Sequence, residues 1–178
     1  DMLEAFQDEL QEIADIRSDS ISRLITWGRD SEELFYADEM QDGEPLPEYL
    51  DRVGGVPFSV AGEWIMQLFE FFARVPEGLP SFDRFTTLNF QVVIDRYQQV
   101  RPVFSEFYGW TKPGAQVREH TRAWYLAQVF CSIIAGVPVR TFSRESLPRN
   151  FEELPGAVQG VVLEVLSEVG GDSEDRFQ

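Results

Sequence analysis

The sequence predicts an all-α protein, an irregular single-domain bundle of about six to eight helices. Several segments carry apolar residues at helical spacing, and no stretch alternates apolar and polar residues over a convincing length. Residues 123–139 contain no formal charge, although the 178-residue chain has a net charge of −16. A helix that is apolar on all sides is either a core helix or a membrane span. Residues 116–136 are therefore the predicted central helix.

The first helix is expected at residues 2–16, where a narrow apolar stripe is flanked by acids. A stripe of this width suits one partner helix, in the same domain or in another chain. We predict that it binds a partner protein, together with two arginines near the central helix. The predicted protein-binding residues are Leu3, Phe6, Leu10, Ile13, Glu9, Glu12, Arg118 and Arg122.

Shorter helices are expected next. Three residues of N-cap type open the segment 18–28, which therefore predicts a second helix with its stop at the glycine. Asp30 and Glu33 have the spacing of a capping box. Residues 41–47 are rich in turn formers, and residues 49–53 predict one more helical turn.

The clearest amphipathic helix is predicted at residues 60–75, after Ser59 as its cap. A further helix is predicted over residues 82–100, with a short turn at 103–108 behind it. The last helix is predicted at residues 155–169, where valines recur at helical spacing. All regular structure is thus expected to be helical.

Charge divides the chain into three parts. Residues 1–51 hold sixteen acids against three arginines, a net of −13, whereas residues 52–151 have a net of +3 and residues 152–178 a net of −6. We therefore predict an acidic helical segment at 1–51 that serves as a docking arm, a helical core at 52–169 and a flexible acidic tail at 170–178. Binding to duplex nucleic acid is not expected, because it needs a large basic face.

No transmembrane span is expected. Fourteen helical residues at 123–136 would rise about 21 Å, against about 30 Å of hydrocarbon. We expect a protein of the cytoplasm or of a large assembly. Because the sequence begins at Asp1 and not at methionine, a processed N-terminus and organelle targeting are left open.

Few residues offer catalytic chemistry. Cys131 and His120 are the single cysteine and histidine, and eleven residues of one helix would separate them by about 16 Å. A Cys/His metal site and a glycine-rich phosphate loop are both absent from the sequence. Glu63 and Glu70 share the polar face of their helix and are interpreted as a solvated stripe. We therefore expect no enzyme, no cofactor and no metal.

Three classes of function remain. Our prediction is a non-catalytic helical structural or adaptor component of a multi-protein assembly, viral, phage or organellar, that binds other protein chains as a homo- or hetero-oligomer. The alternative is a small acidic inhibitor, immunity protein or nucleic-acid mimic, in which residues 1–51 occupy a basic site on a target. The third class is an enzyme with carboxylates in a pocket that sequence does not reveal.

Overall fold

The computed structural model describes residues 2–30, 33–76, 79, 82, 85–95, 99–105, 120–137 and 141–167. Within these ranges the chain is mixed α/β, with five α-helices and two antiparallel sheets, so the prediction of an all-α bundle is wrong. The helices are α1 (Met2–Asp15), α2 (Leu46–Val53), α3 (Phe58–Phe72), α4 (Arg122–Ala135) and α5 (Gly156–Ser167). The strands are β1 (Leu24–Asp30), β2 (Glu33–Asp38), β3 (Gly43–Pro45), β4 (Phe90–Ile94) and β5 (Val100–Phe104).

The first sheet is the antiparallel pair of β1 and β2. Trp27 lies opposite Tyr36 in its register, where the sequence predicted a helix over residues 18–28. Leu24 is buried and the next residue, Ile25, is 63% exposed, and the register shifts between Leu24 and Thr26, so β1 shows no regular alternation of burial. The apolar spacing of this segment suits a helix, and the hydrogen bonds to β2 make it a strand.

The second sheet has the order β3-β4-β5, and its strand β4 lies inside the segment 82–100 that the sequence predicted as a helix, so that prediction is wrong there. The turn between β4 and β5 is closed by Asp95, whose Oδ1 accepts from Gln99 N at 2.9 Å. Val92 and Val93 point to opposite faces of β4 and are both buried. A strand that is buried on both faces shows no alternation of apolar and polar residues in its sequence. The sequence of β4 therefore offered no strand pattern to set against the helical spacing.

Two further contacts complete this sheet. A Cβ at Gly43 would meet Val92 O at 2.5 Å, so only glycine lets β3 approach β4 this closely. On the other edge, Ser22 N donates to Phe104 O at 2.7 Å, and the segment before β1 therefore runs along β5. The turn predicted at 103–108 falls on the end of β5 and on residues outside the described ranges.

The long amphipathic helices are confirmed. The helix predicted at 60–75 is α3 and the one predicted at 155–169 is α5, although α3 begins after Pro57 and not at Ser59. The segment predicted at 2–16 forms α1. The predicted tail, 170–178, lies outside the described residues.

The central helix is confirmed as a core helix. Ten of the fourteen residues of α4 are buried, and its described part begins at the cap Thr121, whose Oγ1 accepts from Trp124 N at 3.2 Å. The helix ends at Gly136, which has a φ of 64°. Residues 116–119 of the prediction are outside the described part. Among the described helices, none is long and apolar enough to cross a membrane.

Candidate functional site

Two buried polar residues meet where β4 begins and β5 ends. Asn89 directly precedes β4 and Ser105 directly follows β5, and the antiparallel register sets them side by side. Ser105 N donates to Asn89 O at 2.9 Å. Both residues are at most 7% exposed. We call this pair the Asn89–Ser105 site.

The Asn89 side chain is fixed by the turn before β4. Thr86 N donates to Asn89 Oδ1 at 2.8 Å, and Leu88 N donates to Thr86 Oγ1 at 3.2 Å. This is a capping box around one turn of 3-10 helix, in which two orphan backbone donors are satisfied by side chains. The amide oxygen of Asn89 therefore already accepts a hydrogen bond from the backbone.

The hydroxyl of Ser105 is different. Its Oγ is buried and makes no hydrogen bond within the described part of the chain. A buried polar atom without a partner costs about 1–3 kcal/mol. Such atoms are uncommon in folded proteins and draw attention to a place where a further group binds. Ser105 is therefore the residue of this site with unused hydrogen-bonding capacity.

A cluster of aromatic side chains packs next to the site. The Phe72 and Phe85 rings are stacked with centroids 4.4 Å apart, and the Phe90 and Phe104 rings meet edge to face at 5.3 Å. Edge-to-face and offset pairs add to the stabilisation from burial. Because Phe90 and Phe104 are the chain neighbours of Asn89 and Ser105, the site rests on rigid packing.

The Arg122 side chain of α4 binds the backbone that follows the C-terminal end of α3. Its Nη1 donates to Val75 O at 2.9 Å and its Nη2 to Pro76 O at 2.7 Å. These carbonyls follow the last turn of α3, where unpaired carbonyl groups and the helix dipole favour a cation. Arg122 thus fastens α4 to the chain that precedes Asn89.

Other chemical groups are less suited to function. Burial raises the pKa of the Cys131 thiol to about 12, so it is uncharged and unreactive at neutral pH. His120 stacks on Trp124 with ring centroids 3.8 Å apart. In the described ranges, no three His, Cys, Asp or Glu side chains come together as a metal site would require.

The predicted protein-binding residues lie in several environments. Leu10 and Ile13 are buried in the core of this domain, and Glu9 is buried while Glu12 is exposed. Arg122 donates to the backbone as described above. The side chains of Leu3 and Phe6, and the whole of Arg118, are outside the described part. Binding of a partner through these residues stays a prediction.

The comparisons with known proteins identify the fold. No protein-family model matches the chain, and no relative is found among curated proteins. A double mutant of the Mycobacterium tuberculosis PknI kinase domain matches with a TM-score of 0.70 at 13% identity, over 95% of this chain and 77% of that one. A single mutant matches with 0.68 at 14% identity and the same coverage. A further structure of that domain matches with 0.64 at 15% identity, over 94% and 79%.

The chain therefore has a protein kinase-like fold, and this finding corrects the functional predictions. The prediction of a non-catalytic helical adaptor assumed an all-α bundle, which the described residues do not form, and the alternative of an acidic inhibitor or mimic was inferred from the charge of residues 1–51 alone. The kinase-like fold contradicts both. The expectation of no enzyme is contradicted as well, because the structural neighbours are kinase domains.

Sequence reasoning missed both residues of the Asn89–Ser105 site. Asn89 was assigned to a helix and Ser105 to a short turn. The available signal was a pair of five-residue segments rich in β-branched and aromatic residues, 90–94 and 100–104, separated by the mostly polar residues 95–99. Short segments of this composition with a polar stretch between them are typical of paired strands.

Proposed function

We propose that this chain is part of a divergent protein kinase-like domain that binds a nucleotide at the Asn89–Ser105 site without the magnesium ions that kinases use. The observation that supports it most is the juxtaposition of Asn89 and Ser105 at the sheet end in a kinase-like fold. In kinases, the asparagine of the catalytic loop and the aspartate of the D-F-G motif hold two Mg²⁺ ions, so those two residues must also lie together.

The sequence before β4 supports this assignment. Kinase catalytic loops follow the pattern H-R-D-x-x-x-x-N. Residues 82–89 read F-D-R-F-T-T-L-N, so Asn89 stands at the asparagine position. Phe82 stands at the histidine position and Arg84 at that of the catalytic aspartate. The metal-binding amide is kept, while the residue that accepts the substrate proton is replaced by a cation.

The residue beside Asn89 departs from the pattern too. The chain contains no D-F-G triplet, and Ser105, Glu106 and Phe107 follow one another after β5. The position next to Asn89 is thus a neutral hydroxyl where kinases have a carboxylate. Mg²⁺ in such sites is bound by carboxylates and substrate phosphates. Because Asn89 Oδ1 also accepts from Thr86 N, the described residues do not fit the ordinary Mg²⁺ pair.

The Ser105 hydroxyl still offers hydrogen bonds to a nucleotide. Ser105 Oγ has a donor and acceptor capacity that no described residue uses. A neutral site also costs less to desolvate than a carboxylate that has no cation beside it. We therefore expect nucleotide binding that does not depend on a divalent ion.

Phosphoryl transfer is a second candidate, favoured by one feature of the sequence. Asp83 is adjacent to position 84, which corresponds to the catalytic-loop aspartate. Glu106 is adjacent to position 105, which corresponds to the aspartate of the D-F-G motif. A one-residue shift of both carboxylates would supply a base and a metal ligand of the required type. Transfer of phosphate from ATP to a protein substrate that is lost in both Asp83→Asn and Glu106→Gln would support this candidate over simple binding.

The test of the proposed function is a nucleotide titration on the intact protein. A fluorescent ATP analogue is titrated in excess Mg²⁺ and in EDTA, and unlabelled ATP is used to compete. We expect saturable, competable binding with affinities within about twofold of each other in the two conditions. Absence of binding, or loss of binding in EDTA, would contradict the proposal.

A further inference from the structure

Four arginines from three parts of the chain line one cleft of about 650 Å³. Arg17 and Arg23 flank the segment between α1 and β1, Arg74 follows α3, and Arg101 lies on β5. We call it the arginine cleft. Neither Asn89 nor Ser105 is among the residues that line this cleft.

Two of these guanidinium groups are held in position by the backbone. Arg17 Nη1 donates to Ala14 O at 2.7 Å, and Arg101 Nη1 donates to Asp19 O. Each of these bonds uses one of the five N–H groups of a guanidinium, so the remaining N–H groups can donate to another acceptor. The lining of the cleft is thus partly preorganised.

The other two guanidinium groups belong to Arg23 and Arg74. Within the described ranges, neither side chain makes a hydrogen bond or an ion pair. The acids that line the cleft, Asp19 and Glu39, are outnumbered two to one by arginines. A local excess of positive charge therefore persists in a chain with a net charge of −16.

We propose that the arginine cleft binds an acidic peptide segment of a partner protein. Arginine presents a planar fork that matches carboxylate or phosphate oxygens with two parallel hydrogen bonds. The volume lies within the range of about 300–1,000 Å³ typical of ligand pockets, which suits a few residues and not a folded domain. Arg23 and Arg74 are the groups that the ligand neutralises.

The charge of the molecule disfavours nucleic acid as the ligand. A polynucleotide extends its phosphates beyond a cleft of this size, and the net charge of −16 repels the phosphates that lie outside it. A short acidic segment concentrates its charge inside the cleft and avoids that repulsion. This inference does not depend on the proposed nucleotide binding.

The test is fluorescence anisotropy on the full-length protein with three labelled peptides of equal length. One carries several glutamates, one a phosphoserine in place of them, and one glutamines. We expect binding of the first two and none of the third, and the stronger of the two identifies carboxylate or phosphate as the preferred group. Binding should also weaken steeply in about 0.5 M salt, where screening is strong.

Variants tie the binding to the cleft. The double variant Arg23→Gln and Arg74→Gln should bind about tenfold more weakly or worse. The control, Arg144→Gln with Arg149→Gln, changes charge equally at exposed positions outside the cleft and should bind as the unmodified protein does. Equal weakening in both variants, binding of the glutamine peptide, salt-independent binding, or tighter binding of a single-stranded oligonucleotide would overturn the proposal.

Discussion

Gln128 and Phe142 are joined by two hydrogen bonds in the interior. Gln128 Nε2 donates to Phe142 O at 2.7 Å, and Gln128 Oε1 accepts from Phe142 N at 2.6 Å. The side-chain amide thus forms hydrogen bonds with both the N–H and the C=O of Phe142, as a neighbouring strand would. It fastens the chain that follows α4 to the buried face of that helix.

We expect Gln128→Leu to destabilise the domain by about 2–6 kcal/mol, because two buried backbone groups lose a hydrogen bond at about 1–3 kcal/mol each. The measurement is the free energy of unfolding from urea denaturation. Gln67→Leu, at an exposed position of α3, is the control and should change stability by less than about 0.5 kcal/mol. Equal effects of the two substitutions would show that the paired hydrogen bonds contribute little.

A second prediction concerns the end of α4. Gly136 has a φ of 64°, and a Cβ there would lie against the backbone of Gly54 and Gly55. We expect Gly136→Ala to lower the free energy of unfolding by about 1–3 kcal/mol, from strain at positive φ and from this contact. The measurement is thermal and urea unfolding.

Gly160 provides the control for that prediction. It lies in α5, and a Cβ there would meet no atom within 4 Å. Gly160→Ala should raise stability by about 0.5–1 kcal/mol, because alanine favours the helix. If both glycine variants were neutral or shifted stability in the same direction, the close approach at Gly136 would be refuted.

A third prediction uses the pH dependence of stability. Burial raises the pKa of Cys131 from 9.0 to about 12, so folding favours the protonated thiol. The resulting stabilisation is fully present below pH 9 and is lost as the pH rises towards 12, by about 1 kcal/mol per pH unit.

Tyrosines and other groups titrate in the same range, so the comparison must be with Cys131→Ala. We expect the unmodified protein to lose about 1 kcal/mol more than this variant between pH 8 and pH 10. Parallel stability curves for the two proteins would mean that Cys131 is accessible to solvent.

The helices could be predicted from the sequence because each buries one continuous stripe. In α3, Trp64, Leu68 and Phe71 recur at helical spacing and are all buried. For α4 the absence of charge was sufficient, since such a run of residues cannot form a solvent-exposed helix. These signals lie within one segment and need no knowledge of its neighbours.

The strands could not be predicted in the same way. β3 pairs with β4 across more than forty residues, and Gly43 and Val93 become neighbours only in that pairing. β1 and β2 are close in sequence, but Ile25 on β1 is apolar yet exposed, so the segment lacks a clear strand alternation. The Asn89–Ser105 site was hidden because it exists only once β4 and β5 are paired, and β4 had been assigned to a helix.

The central claim is that the Asn89–Ser105 site binds nucleotide through its neutral groups. The most direct measurement is calorimetric titration of ATP into the full-length protein in EDTA, with Ser105→Ala beside it. Ser143→Ala is the control, because that hydroxyl is exposed and donates to Glu145. We predict saturable binding that Ser105→Ala weakens about threefold to tenfold and that the control leaves unchanged. Absence of saturable heat, or equal affinities in all three proteins, would contradict the account.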